Sequence, residues 1–92
     1  MREVTITSNE CLYKEMLHEY IQQQLCFPEY YGRNLSALAD CLSEASQPTL
    51  ITIRIDEKQL PAGMGAYVLR LAQVCAREAL ANENVSLIIE HL

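Results

Sequence analysis

The sequence predicts an α/β fold: a small parallel sheet of three strands with helices packed mainly on one face. Three observations carry this. Three short runs rich in β-branched residues lie at Val4 to Thr7, Thr49 to Ile55 and Val85 to Glu90. Stretches with apolar residues at helical spacing separate them, and strands separated by helices pair in parallel through right-handed crossovers. The middle run, Thr-Leu-Ile-Thr-Ile-Arg-Ile, is almost continuously β-branched or apolar, as in an internal strand. Too few helices are present to cover both sides of the sheet. Ninety-two residues make one domain, residues 1–92, with one compact core.

The first run alternates apolar and polar residues, which marks a strand. Ser8 and Asn9 follow as helix caps. Tyr13, Met16, Leu17, Tyr20, Ile21 and Leu25 then recur in steps of three and four, one face of an amphipathic helix. Glu10 and Lys14 have the i, i+4 spacing of a helix-surface ion pair. Pro28 biases Phe27 away from helical angles and closes that segment. Asn34 is a good N-cap for a second helix, from Leu35 to about Glu44. Leu35, Leu38, Cys41 and Leu42 share its core face. Ser36, Asp40 and Ser43 share the face turned to solvent or a partner, with Ala39 beside Asp40. A polar loop, Glu44 to Pro48, leads into the middle strand. A single helical turn is expected over Asp56 to Leu60. Pro61, Gly63 and Gly65 break it. A long helix then runs from Ala66 to about Asn82, with Val68, Leu71, Ala72, Cys75 and Ala79 facing inward.

Composition excludes several function classes. The net charge of −5 argues against direct nucleic-acid binding, which needs a basic patch to exchange for counterions. The same charge suits a basic protein partner steered in by complementary fields, and equally suits simple solubility. No apolar run of transmembrane length is present. The N-terminal residues have no signal-peptide core, so a cytoplasmic location is expected. Cys11, Cys26, Cys41 and Cys75 show no Cys-x-x-Cys spacing, and His18 and His91 stand apart. The cysteines read as small buried hydrophobes rather than disulfide partners. No motif assembles a nucleophile, a base and an orienting group, and Gly63-Met64-Gly65 lacks the rest of a phosphate-binding loop. No enzyme activity, metal or cofactor is expected.

The most specific stretch is residues 26 to 45. A Pro- and Gly-containing turn presents Tyr30 and Tyr31, and the helix after it carries Asp40 among small residues. Tyrosines supply rigid contact area with a polar tip and are enriched at interfaces. Ser36, Ala39 and Ser43 let a partner approach closely, and the Asp40 carboxylate can accept charge-assisted, bidentate bonds from arginines. The same spacing is met if both tyrosines are core aromatics and Asp40 is a solvated helix residue.

These residues resemble the barstar family, intracellular inhibitors of secreted ribonucleases of the barnase type. The matching positions are Pro28-Glu29-Tyr30-Tyr31-Gly32, Asn34-Leu35, Ala37-Leu38 and Asp40-Cys41-Leu42. Weaker similarity extends to Leu50–Ile53, Lys58-Gln59-Leu60, Gln73-Val74 and the last strand. The resemblance implies that the second helix and the turn before it enter the ribonuclease active site. There Asp40 would stand where a substrate phosphate lies, Tyr30 would be an aromatic contact, and Asn34 a polar contact and cap. It draws Tyr31, Gly32, Leu35, Ser36, Ala39, Ser43 and Glu44 into the same surface, with Glu78 as an acid from the last helix beside Arg77. It further implies a monomer in a 1:1 complex with no chemistry of its own.

Four departures separate this chain from the family pattern. Ser36 replaces a second aspartate, Arg33 an acid, and Ala39 and Ala45 replace tryptophans. Glu29, Asp40 and Glu44 against Arg33 leave a local charge of about −2. The expected partner is therefore a basic secreted ribonuclease of the barnase type, or a divergent nuclease whose pocket fits the smaller side chains. The alternative is an immunity or regulatory protein of this fold that binds another partner.

Overall fold

A computed structural model describes residues 1–92. The strands are β1 (Arg2–Thr7), β2 (Thr49–Ile55) and β3 (Val85–His91), and the helices are α1 (Lys14–Gln24), α2 (Leu35–Ser43) and α3 (Met64–Ala81). All strand pairs are parallel, in the order β1-β2-β3. Val4, Ile51 and Leu87 lie in one row, and Ile6, Ile53 and Ile89 in the next. Because side chains alternate across a strand, these rows point to one face. The three helices cover that face. The core holds Val4, Ile6, Ile51, Ile53 and Val85 from the sheet, with Leu17, Ile21, Leu38, Leu42 and Leu71 from the helices.

The opposite face carries Glu3, Thr5, Arg54, Ser86, Ile88 and Glu90, all exposed, with Leu50 and Thr52 half-buried. Arg54 and Glu90 form an ion pair across neighbouring strands at 3.0 Å. β2 is the central strand, as its composition predicts, and only its helix-facing side is closed. In β2 only Thr49, Ile51, Ile53 and Ile55 are buried.

Local chemistry explains where the elements begin and end. A 3-10 turn at Ser8–Glu10 follows β1 and is closed by a capping box. Thr7 accepts from the Asn9 N–H at 3.3 Å, and the Glu10 carboxylate takes both the N–H and the hydroxyl of Thr7 at 2.9 Å. Glu10 is therefore spent on Thr7, and the expected Glu10–Lys14 pair does not form. Lys14 instead lies over the Tyr67 ring, 4.8 Å from its centre. Tyr13 becomes the exposed N-cap of α1 rather than part of its inner face, which is Leu17, His18 and Ile21. The last helix starts at Met64, two residues earlier than expected. Gly63, at φ +86°, supplies the left-handed turn that launches it.

The corner between α3 and β3 holds the polar loop before β2. The Asn82 side chain donates to the carbonyls of Leu42 and Ala45, each at 3.0 Å, and accepts from the Asn84 N–H at 2.9 Å. Asn84 donates to the Ala45 carbonyl at 3.0 Å. The free carbonyls at the end of α2 are thereby satisfied by another element rather than by water. Asn82→Ala is expected to lower unfolding stability by about 1–3 kcal/mol, read as a shifted urea midpoint. An unchanged midpoint would show that water replaces the amide without loss.

Candidate protein-binding site

The site is built on α2 and the turn before it. Asn34 caps α2 by accepting from the Ala37 N–H at 2.7 Å. Its amide nitrogen reaches the Gly32 carbonyl at 3.4 Å. Gly32 is needed for close approach, since a Cβ there would sit 3.2 Å from Ala37 Cβ. Arg33 has a left-handed backbone, φ +54°, and its guanidinium pairs with Glu19 of α1 at 3.1 Å. That pair ties the turn to α1.

The helix divides as its spacing predicts. Leu38 and Leu42 are buried, Leu35 and Cys41 half-buried, and Ser36, Asp40 and Ser43 exposed. Ala39 is half-buried beside Asp40. The Ser43 hydroxyl donates back to the Asp40 carbonyl at 2.7 Å. The two ion pairs of the molecule involve neither Asp40 nor Glu44, so both exposed carboxylates are free for a partner.

The two adjacent tyrosines part company. Tyr30 is 86% exposed, whereas Tyr31 is 5% exposed. Tyr31 is placed mainly in the core, its ring packed on Phe27, centre to centre 5.1 Å, so Tyr30 offers the larger contact surface of the two. The cause is His18. Fully buried on α1, its imidazole bonds the Tyr31 hydroxyl through Nδ1 at 2.7 Å and the Tyr67 hydroxyl through Nε2 at 2.5 Å. A neutral imidazole donates through one nitrogen and accepts through the other, so all three polar groups are satisfied without water. Burial holds the His18 pKa below its ordinary value and raises that of Tyr31. The trio joins α1, the turn and α3, and leaves Tyr30 pointing out. Tyr67 shares a face with Leu71 one turn later, a spacing that could have marked it as inward.

Tyr30, Tyr31, Gly32, Asp40 and Glu44 line one cleft of about 470 Å³. Residues not assigned to the site from the sequence complete its lining, among them Cys26, Phe27, Pro28, Ala45, Ser46, Gln47 and Arg2. Cys26 corrects the view of the cysteines as uniformly buried. Its left-handed backbone, φ +56°, follows the end of α1 and leaves the residue exposed. Cys11 and Cys75 are buried, with thiols pushed up to about 11 and about 12 by desolvation. Cys41 is raised first by burial and then by the charges of Glu44 and Asp40. All four are free thiols. Glu78 is not part of the cleft. It lies half-buried on α3, one turn before Asn82.

No group of three or more His, Cys, Asp or Glu residues converges to hold a metal ion, and no helix is long and apolar enough to cross a membrane. A family model described as "Barstar (barnase inhibitor)" matches residues 1–91. The chain is also similar to the "Putative ribonuclease inhibitor YrdF" of Bacillus subtilis (strain 168), with 46% identity over 43 residues. That match spans about half of each chain, 47% of both. The parallel three-stranded sheet, the helices on one face and a family match over nearly the whole chain agree: this protein belongs to the barstar family.

Proposed function

We propose that this protein inhibits a basic ribonuclease of the barnase type, or a divergent relative of one, by covering its active site with α2 and the turn before it. The observation that carries this reading is Asp40: an exposed, unpaired carboxylate on α2, at the rim of a cleft shared with the protruding Tyr30. An arginine-lined phosphate site is complementary to such a carboxylate. Tyr30 offers a flat ring beside it, and the small Ser36, Ala39 and Ser43 let the nuclease surface lie close to the helix. Asn34 has its carbonyl oxygen committed to the cap, so its free contribution is a donor. The inhibitor acts as a 1:1 plug in the cytoplasm of the cell that makes the nuclease, and performs no chemistry. Arg33, Ser36, Ala39 and Ala45 make the surface less acidic and less aromatic than the family pattern, which favours a divergent nuclease as partner.

The test is inhibition of a purified barnase-type ribonuclease at two ionic strengths. Association is expected to slow by about tenfold or more between about 10 mM and 150 mM salt, as the screening length falls from about 30 Å to 8 Å. Inhibition independent of salt, or none at micromolar protein, would argue for a different partner on the same surface.

A further inference from the structure

We propose that β3 is the interface of a dimer of this chain, pairing antiparallel with β3 of a second copy about a two-fold axis at Ile88. The inference stands apart from the inhibitor reading. β3 is an edge strand, paired only with β2. The Asn84 carbonyl and the Leu92 N–H both bond β2, at Thr49 and Ile55. Backbone groups alternate in direction along a strand, so those of Leu87, Ile89 and His91 point away from β2, where no further strand meets them. The other edge of the sheet is closed: the Tyr20 hydroxyl donates to the Thr5 carbonyl of β1 at 2.8 Å. β3 has no such cap, and it holds neither lysine nor proline nor a bulge, the usual guards of a free edge. It is also apolar. Ile88, on the outer face, is 45% exposed, and Ile89, on the helix side, is 47% exposed. Leu69 of α3 is exposed beside it and lines the same apolar groove.

The strand is complementary to itself. A two-fold axis at Ile88 sets Leu87 opposite the second copy's Ile89. Both carry outward backbone groups, so each such pair exchanges both hydrogen bonds. Ile88 then faces its own copy in the non-bonded position, where side chains come closest. No like charges stand opposite each other. Glu90, already paired with Arg54 at 3.0 Å, meets the second copy's Ser86. A two-fold axis one residue to either side sets Ile88 against Glu90 or Ser86 instead. Because Tyr20 closes the β1 edge, pairing stops at two copies and one continuous sheet. The seven residues of β3 at about 3.3 Å each make a seam about 23 Å long. With a sheet-and-helix depth of about 20 Å, it buries about 900 Å² in total, the size of a weak, reversible interface. No residue lining the α2 cleft comes from α3 or β3, so each copy keeps its cleft open and meets a nuclease one to one.

Sedimentation equilibrium of the full chain is the test. The 10.4 kDa monomer is expected to give way to twice that mass, with a dissociation constant on the order of 10–100 μM. Amide hydrogen exchange locates the contact: Leu87 and Ile89 should exchange about fivefold more slowly at about 1 mM chain than at about 5 μM. Ile88→Lys sets two ammonium groups against each other and should weaken the dimer by at least about tenfold. Its urea midpoint should stay near the parent's, because the position faces solvent. Tyr30→Ala, in the cleft, should leave the dimer unchanged. A monomer at about 1 mM, a dimer that survives Ile88→Lys, or one lost in Tyr30→Ala would overturn the proposal. So would exchange at Leu87 and Ile89 that ignores concentration, which is read on the parent and needs no variant. A monomer that inhibits a ribonuclease loses the dimer and keeps the inhibitor reading. A β3-paired dimer that inhibits none does the reverse.

Discussion

Asp40→Ala is expected to weaken inhibition of a basic ribonuclease by about 3–5 kcal/mol, the cost of leaving opposite charges buried and unpaired at an interface. At 1.4 kcal/mol per tenfold this is a loss of hundreds- to thousands-fold in affinity. Stability should not follow. Asp40 is exposed and its side chain makes no ion pair or hydrogen bond in the free protein, its backbone carbonyl accepting from the Ser43 hydroxyl and the Glu44 N–H. The melting temperature should therefore stay within error of the parent, and the loss should appear mainly as faster dissociation. Asp40→Asn keeps the shape and removes the charge, so it should lie close to Asp40→Ala if charge is what the enzyme reads. Ser36→Ala and Ser43→Ala should each cost less than about 1 kcal/mol. Small, equal losses across all four variants would rule out the proposed role of Asp40 as a phosphate mimic.

His18→Leu is expected to be the most damaging single change to the fold outside the aliphatic core, at about 2–5 kcal/mol. Leucine fills much of the space but leaves the hydroxyls of Tyr31 and Tyr67 without a partner in a site 5% and 8% exposed. That is a large share of the roughly 5–15 kcal/mol by which small domains are stable. The pH dependence follows from the same geometry. Burial lowers the folded-state pKa of His18 below 6.5, so the unfolded chain takes up a proton at a higher pH than the native one. The contribution of His18 is fully present above about pH 6.5 and is lost as pH falls towards the folded value. The groups around the imidazole, the Tyr31 and Tyr67 hydroxyls with Lys14 over the Tyr67 ring, include no carboxylate that would stabilise its cation. Urea midpoints at pH 7.5, 6 and 5 should fall more steeply for the parent than for His18→Leu, the difference isolating His18 from other titrating groups. Parallel pH profiles would show that the imidazole does not titrate in this range. Because His18 holds Tyr31 and Tyr31 adjoins Tyr30, acid should also loosen the binding turn.

Legibility followed the range of the forces involved. The middle strand was readable to the residue, because β-branched runs bounded by Pro48 and Asp56 are a local signal. The second helix was readable to within a residue, because Asn34 is a local cap and its apolar residues repeat at local spacing. The exposed face of Ser36, Asp40 and Ser43 followed from that repeat alone. The first helix was misread at its start because Glu10 had two local uses, a capping box with Thr7 and a pair with Lys14. The capping box satisfies two backbone donors, and the surface pair is worth only a few tenths of a kcal/mol.

The amino-acid sequence by itself determined the order of elements, the parallel sheet, the inner and outer faces of the second helix and the prominence of Asp40. The faces of the helix are written in residues within a few positions of one another, and the parallel pairing follows from the alternation of strands and helices along the chain. Tertiary structure alone decided which of two adjacent tyrosines turns inward, since the choice is made by an imidazole 13 residues away and shared with a hydroxyl 49 residues from it. It decided likewise that Cys26 is exposed, that Asn82 holds the end of α2 across 40 residues, and that the turn, the loop at Ala45 and Arg2 enclose a cleft. Hydrogen-bond partners and cavities are properties of surfaces brought together by packing, and periodicity along one segment carries no record of what the facing segment provides.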